Sequence, residues 1–209
     1  MNRVELKEWA KEFVKGKRWD VLLPIIIMSL FSGFTVTFNV GDSENINYTL
    51  LSIMSVVSFA ISIVVFIIQI GFTDYMVKFI KEKEYKLEIL FSKFSDWSRL
   101  IGVYLLQVIF IFLWTLLFII PGIIKGIAYS LVPYLLADDK YKKLSATEIL
   151  KKSEELMNGH KWDFVVLSLS FIGWHILAIF TLFILEIWIL PYQQVAITKF
   201  LRDIVDADK

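Results

Sequence analysis

The chain has 209 residues, 57% of them hydrophobic, and its 22 Lys and Arg against 21 Asp and Glu leave a net charge of +1. That length suits one domain, and that apolar share exceeds the roughly 45–50% of soluble domains. No cysteine is present, so disulfides and thiolate metal sites are excluded; the two histidines, His160 and His175, do not make a multi-histidine centre by themselves, and no cofactor is expected.

Residues 2–17 read as an amphipathic helix. Leu6, Trp9, Ala10 and Phe13 recur at three- and four-residue spacing, while Arg3, Glu5, Lys7, Glu8, Lys11, Glu12 and Lys15 fill the other side. Two placements fit: in the membrane interface, where basic amphipathic helices lie, or against the cytoplasmic ends of its own bundle. A first span follows at about 21–40, a run of 20 residues with no charge, enough for about 30 Å of hydrocarbon. It lacks the short apolar region and small-residue cleavage motif of a secretory signal, so it is expected to be retained.

The polar gap at 41–47, with Asp42 and Glu44, leads to a second span at 48–72. A short amphipathic stretch at 86–95 carries Leu87, Leu90, Phe91 and Phe94. The third span, 100–120, has Gln107 as its strongly polar member. Pro121-Gly122 breaks that run, because proline suits the first turn of a new helix, and a fourth span is expected at 121–137. Ser145 and Glu148 have capping-box spacing and open an amphipathic helix over 145–158. The fifth and sixth spans, 164–180 and 185–200, are each about 25 Å long at the helical rise, which implies local thinning of the bilayer. The expected fold is all-α: a polytopic membrane helix bundle with six transmembrane helices in three hairpin units and amphipathic interfacial helices, forming one integral membrane domain over 1–209.

Lys and Arg alternate between the gaps. Residues 1–20, 73–99 and 138–163 hold six each, the gaps at 41–47 and 181–186 hold none, 121–125 holds one, and the tail after 198 holds three. Cytoplasmic loops retain Lys and Arg, so a multi-pass protein of the cell membrane is expected, with both termini in the cytoplasm. The basic residues flank apolar runs instead of covering a soluble face, so no nucleic-acid partner is expected.

Gly16-Lys17-Arg18-Trp19-Asp20 recurs as Gly159-His160-Lys161-Trp162-Asp163, and Asp96-Trp97-Ser98-Arg99 occupies the same place before the third span. The chain thus reads as three units of interfacial helix, tryptophan and two-span hairpin. Trp9, Trp19, Trp97 and Trp162 are candidate anchors at the headgroup level, where aromatic belts form.

No HExxH, Walker A, GxSxG or glycine-rich dinucleotide motif is present, and no enzymatic activity is expected. His175 in an apolar run reads as a hydrogen bond to a neighbouring helix or as a proton relay. Pro133-Tyr134 and Pro191-Tyr192 interrupt the second spans of two successive units. Interrupted helices at matching positions of repeats mark binding sites in transporters, and Gln107, Ser130, Tyr134, Tyr192, Gln193 and Gln194 are the candidates to line one; ordinary kinks joined by polar residues are the other reading. Lys125 and Glu186 fall at one depth near the outer side, where they either pair or reach the interface separately.

Several blocks carry a family resemblance: Leu90–Phe94, Trp114–Lys125, Tyr129–Tyr134, Ala137-Asp138, Met157–Trp162, Leu169–Trp174 and Pro191-Tyr192. From Leu90 onward the chain resembles a bacterial integral-membrane family, domain of unknown function 975, and Leu6-Lys7 and Lys15-Gly16 fit it more loosely. The resemblance implies a small multi-span protein of Gram-positive bacteria and carries over no catalytic residue. Two departures stand out: Leu182-Phe183-Ile184 occupies a turn where the family pattern tends to place glycines, and His175 lies outside the pattern. The expected function is a non-enzymatic membrane scaffold whose partners are membrane lipids, anionic ones first, or another membrane protein or second copy. The alternative is a small transporter for a lipid, peptide or small solute.

Overall fold

The structure, a computed structural model, describes residues 2–33, 48–81 and 86–208. The expected outer turn at 41–47 and the end of the first span, 34–40, lie outside them. Among the described residues the chain is all-helical: α1 Arg3–Val14, α2 Arg18–Gly33, α3 Tyr48–Lys81, α4 Trp97–Leu117, α5 Ile119–Ala128, α6 Val132–Ala137, α7 Ala146–Met157, α8 Lys161–Leu169, α9 Ile172–Phe180 and α10 Glu186–Asp206. A 3-10 segment, Leu87–Asp96, stands where the amphipathic stretch was expected.

Four helical stretches are long and apolar enough to cross a membrane by length and composition: Ser52–Lys81, Leu87–Leu117, Ile119–Ala137 and Lys161–Phe180. The expected sixth span is not among them, because α10 carries Glu186, Lys199 and Arg202 within one helix. The fourth stretch of the sequence reading is built from α5, a 3-10 turn at Tyr129–Leu131 and α6. Pro133 lies in the first turn of α6, where a missing N–H is harmless, and so begins a helix there instead of kinking one. Pro191 does lie inside α10.

α1 and α7 are built alike. Each has 12 residues and a complete capping box, Asn2 with Glu5 and Ser145 with Glu148. Each ends at a left-handed glycine, Gly16 at φ +86° and Gly159 at φ +85°, a conformation that glycine adopts without a Cβ penalty. The five-residue match in sequence therefore corresponds to one local structure used twice. Both helices bury one face, Leu6, Ala10 and Val14 in α1 and Ile149, Leu150, Ser153 and Met157 in α7.

The amphipathic segments pack in a cyclic order. α7 covers α4, α5 and α6, the helices just before it in the chain, and the 3-10 segment likewise covers α3. α1 closes the cycle on α10, at the far end of the sequence. Of the two placements open to α1, this is packing against its own bundle: its apolar stripe joins a core with Phe72, Tyr75, Met76, Phe79, Leu167, Phe171 and Val195. A second core joins Phe66, Ile70, Leu100, Val103, Leu131, Leu135, Ile149, Leu150 and Leu201.

Charges gather at one end of the bundle. Asp74 takes Lys78 and Lys93, each at 3.2 Å, and Lys81 meets Asp206 at 2.7 Å. Arg202 reaches Asp138 and Asp206, both at 3.0 Å. Asp208 takes Lys152 at 2.7 Å and Lys140 at 3.1 Å. The C-terminal ends of α3, α6 and α10 therefore share one face with Lys152 of α7, and the basic clusters of 73–99, 138–163 and the tail come together there.

Two contacts bear on how the helix pairs are flanked. Lys125 and Glu186 do not pair: Lys125 Nζ lies 2.6 Å from Glu154 of α7, and Glu186 lies 2.8 Å from His175 Nδ1. The Arg18 guanidinium stands 5.7 Å from the Trp188 ring centroid, although six full spans would put these residues at opposite faces. The cause is the same in both cases. An amphipathic helix packs on a helix pair, α7 on α4 and α5 and α1 on α10, and a residue of that helix or of the chain just beyond it meets the pair.

Candidate functional site

The helix pair of α8–α9 with α10 turns at Leu182 and Phe183, whose φ values are 50° and 63°. Left-handed backbone favours glycine, which gives the glycine preference of the resembled family at this turn a physical reason. Just below the turn, His175 Nδ1 lies 2.8 Å from Glu186 Oε1 and its Nε2 lies 2.7 Å from Gln193 Oε1. The group ties α9 to α10, which is the hydrogen-bonding reading of His175.

Beside this pair, a groove of about 360 Å³ is lined by Lys11, Arg18, Trp174, Leu185, Trp188, Ile189 and Tyr192. α1 supplies Lys11 and the first turn of α2 supplies Arg18; the rest come from α9, the turn and α10. Cations stand at one side of an aromatic and aliphatic trough, with the Arg18 guanidinium against Trp188. Lys7 continues the line of charge, with Nζ 3.1 Å from Ser170 Oγ and 4.4 Å from the Phe171 ring centroid. Tyr192 packs edge-on against Phe171, ring centroids 5.2 Å apart, which fixes the trough floor.

The other sequence candidates scatter. Gln193 and Gln194 border a second pocket of about 450 Å³ with Ile25, Met28, Ser29, Phe72 and Leu190. Tyr134 is buried and its hydroxyl donates to Thr198 Oγ1 at 3.4 Å, where Gln194 Nε2 also donates at 3.4 Å. Ser130 bonds back to the Ile127 carbonyl of its own chain segment. Gln107 Oε1 is buried without a hydrogen-bond partner among the described residues. The two Pro-Tyr interruptions therefore do not line one cavity: Tyr134 is in the core and Tyr192 is in the groove.

Of the four candidate anchors, Trp19, Trp97 and Trp162 are 65%, 57% and 73% exposed. Trp9 instead is half-buried, stacked on Phe13 at 4.9 Å with Lys199 above it. The groove's Lys11, Arg18, Trp174 and Trp188 were not among the sequence candidates. No local pattern marks them, because the groove joins residues about 170 positions apart.

Residues 116–208 match DUF975, a family described as a protein of unknown function. The match begins at the α4–α5 turn and runs to the end of α10, so it contains the α9–α10 side of the groove but not Lys11 or Arg18. No curated protein and no solved structure matches the chain. The DUF975 match brings no activity with it, so the function is argued from the residues.

Proposed function

We propose that this chain is a non-enzymatic integral protein of the cell membrane that binds anionic phospholipid, with both termini and the charged end of the bundle in the cytoplasm. The observation that carries the reading is the groove that sets Lys11 and Arg18 beside Trp174, Leu185, Trp188, Ile189 and Tyr192. A phosphate suits the cations, and an acyl chain suits the trough. The Lys and Arg distribution supports the orientation, and each basic residue near an anionic surface contributes about 1 kcal/mol. The test is lipid retention by the purified protein. Phosphatidylglycerol should co-purify in preference to phosphatidylcholine, and Lys11→Glu with Arg18→Glu should release it. Equal retention of both lipids would sink the idea.

A transport role is the second reading. It draws on the 450 Å³ pocket, which sets the amides of Gln193 and Gln194 among apolar residues of α2, α3 and α10. Solute uptake into vesicles that is abolished by Gln194→Leu would favour it over a lipid-binding scaffold.

A further inference from the structure

Two apolar turns stand clear of the packed body. Residues 112–120 are all exposed, and from Leu116 to Ile120 each side chain is 65–73% exposed. At the other turn Phe180 and Leu182 are 80% and 84% exposed, and Phe183 and Ile184 are 63% and 59% exposed. Neither turn contains a charged residue, whereas the gap at 41–47 is polar, with Asp42, Ser43, Glu44 and two asparagines. A turn that emerges into water has the composition of 41–47. Contiguous apolar turns belong among acyl chains.

The same helix pairs are flanked by helices whose charged faces need water. α7 exposes Glu148, Lys151 and Glu155 along its outer side, and its inner side reaches Lys125 through Glu154. From Lys125 to Phe118 is seven residues, about 10 Å along a helix. α1 exposes Glu8, Lys11, Glu12 and Lys15, and the chain just beyond it brings Arg18 to Trp188. From Trp188 to Phe183 is five residues, about 8 Å. Half of a hydrocarbon core is about 15 Å, so turns this close to headgroup-level charges end near the bilayer centre even after the cations snorkel a few ångströms. α3 differs. Residues 48–73 carry no charge and form one unbroken helix of about 39 Å at the helical rise, enough to cross, whereas the uncharged part of α4, 100–117, runs about 27 Å before its turn.

We infer that the second and third helix pairs, α4 with α5–α6 and α8–α9 with α10, enter and leave through one leaflet. Their turns at Phe118 and Phe183 insert among its acyl chains, while α2 and α3 cross the bilayer. The partner of the two exposed turns is the acyl layer of the cytoplasmic leaflet, and the charged faces of α1 and α7 meet its headgroups. The alternation of Lys and Arg is preserved, since a pair that dips and a pair that crosses both return the chain to the same side. The inference rests on the membrane reading above and goes beyond it in depth and sidedness.

The absence of natural cysteine makes spin labelling direct. Phe118→Cys, Phe183→Cys, Ala60→Cys in α3 and Ser145→Cys at the start of α7 are labelled singly in phosphatidylglycerol–phosphatidylcholine vesicles. Collisions with oxygen and with a water-soluble nickel chelate then report depth. Labels at 118 and 183 should be oxygen-rich and nickel-poor, like the label at 60, while that at 145 is nickel-accessible. Leu117→Cys and Leu182→Cys replace any variant that does not fold. Labels at 118 or 183 at headgroup depth would overturn the one-leaflet arrangement while leaving the membrane reading intact. A nickel-accessible label at 60 would overturn the membrane reading, and this inference with it.

Discussion

Lys125 of α5 is held by Glu154 of α7, Nζ to Oε1 at 2.6 Å, with both side chains partly exposed. The lysine's charge is thus met by a residue 29 positions further along the chain. Lys125→Glu and Glu154→Lys should each lower the unfolding temperature in detergent, and the double exchange should recover much of the loss. A coupling on the order of 1 kcal/mol is expected for a partly exposed pair. Combining Lys125→Glu with Glu186→Lys should recover nothing.

Removing His175 strands two polar groups at once. Glu186 Oε1 and Gln193 Oε1 both lose the ring that they contact at 2.8 and 2.7 Å. His175→Ala is expected to cost about 1 kcal/mol, the net contribution of a hydrogen bond, because both partners are only partly buried. His175→Ala together with Glu186→Leu should be less damaging than His175→Ala alone, by chemical unfolding of the purified protein.

Asp208 gives the charged end a pH dependence. Lys152 above all, then Lys140 and the Tyr141 hydroxyl, hold its carboxyl down to about 2, below an ordinary aspartate at about 3.9. A depressed carboxyl contributes stability that is present above the unfolded value and is lost as pH falls through the folded one. Asp208→Asn should therefore lower the unfolding temperature at pH 7, and the gap to the unaltered protein should close between about pH 4 and pH 2.

Gly71 lets the 3-10 segment lie against α3. A Cβ there would stand 2.0 Å from the Leu90 carbonyl oxygen and 3.0 Å from its Cα, both backbone atoms that cannot swing aside. Gly71→Ala should cost about 1–3 kcal/mol or more, as overpacking does. Gly102→Ala meets nothing within 4 Å and should leave stability unchanged or raise it by up to about 1 kcal/mol, because alanine is the better helix former. Thermal unfolding of the two variants side by side checks both.

Much of the local structure was legible in the residues. The Ser145 and Glu148 spacing marked the start of α7, because a capping box is satisfied within four residues. Pro121-Gly122 marked the α4–α5 break for a similar reason: Phe118 is extended and the proline falls in the first turn that follows. The capping box at Asn2 and Glu5 is equally local, with asparagine in place of serine or threonine at the cap. The repeat around Gly16 and Gly159 was legible because a left-handed helix end tolerates few residues other than glycine.

What the sequence by itself determined is the set of helices, their apolar faces and the grouping of Lys and Arg, since these depend on periodicity, capping and charge within a few residues. Only the tertiary structure decided which helix each amphipathic face covers. Leu6, Ala10 and Val14 define an apolar stripe whether it meets lipid or protein, and the packing put α10 against it. That choice sets Arg18 on Trp188 and, in the same way, α7 sets Glu154 on Lys125. Hydropathy counts residues along one helix and assigns it a length. The depth that helix reaches is governed by where its neighbours carry their charges, and those neighbours are distant in the chain.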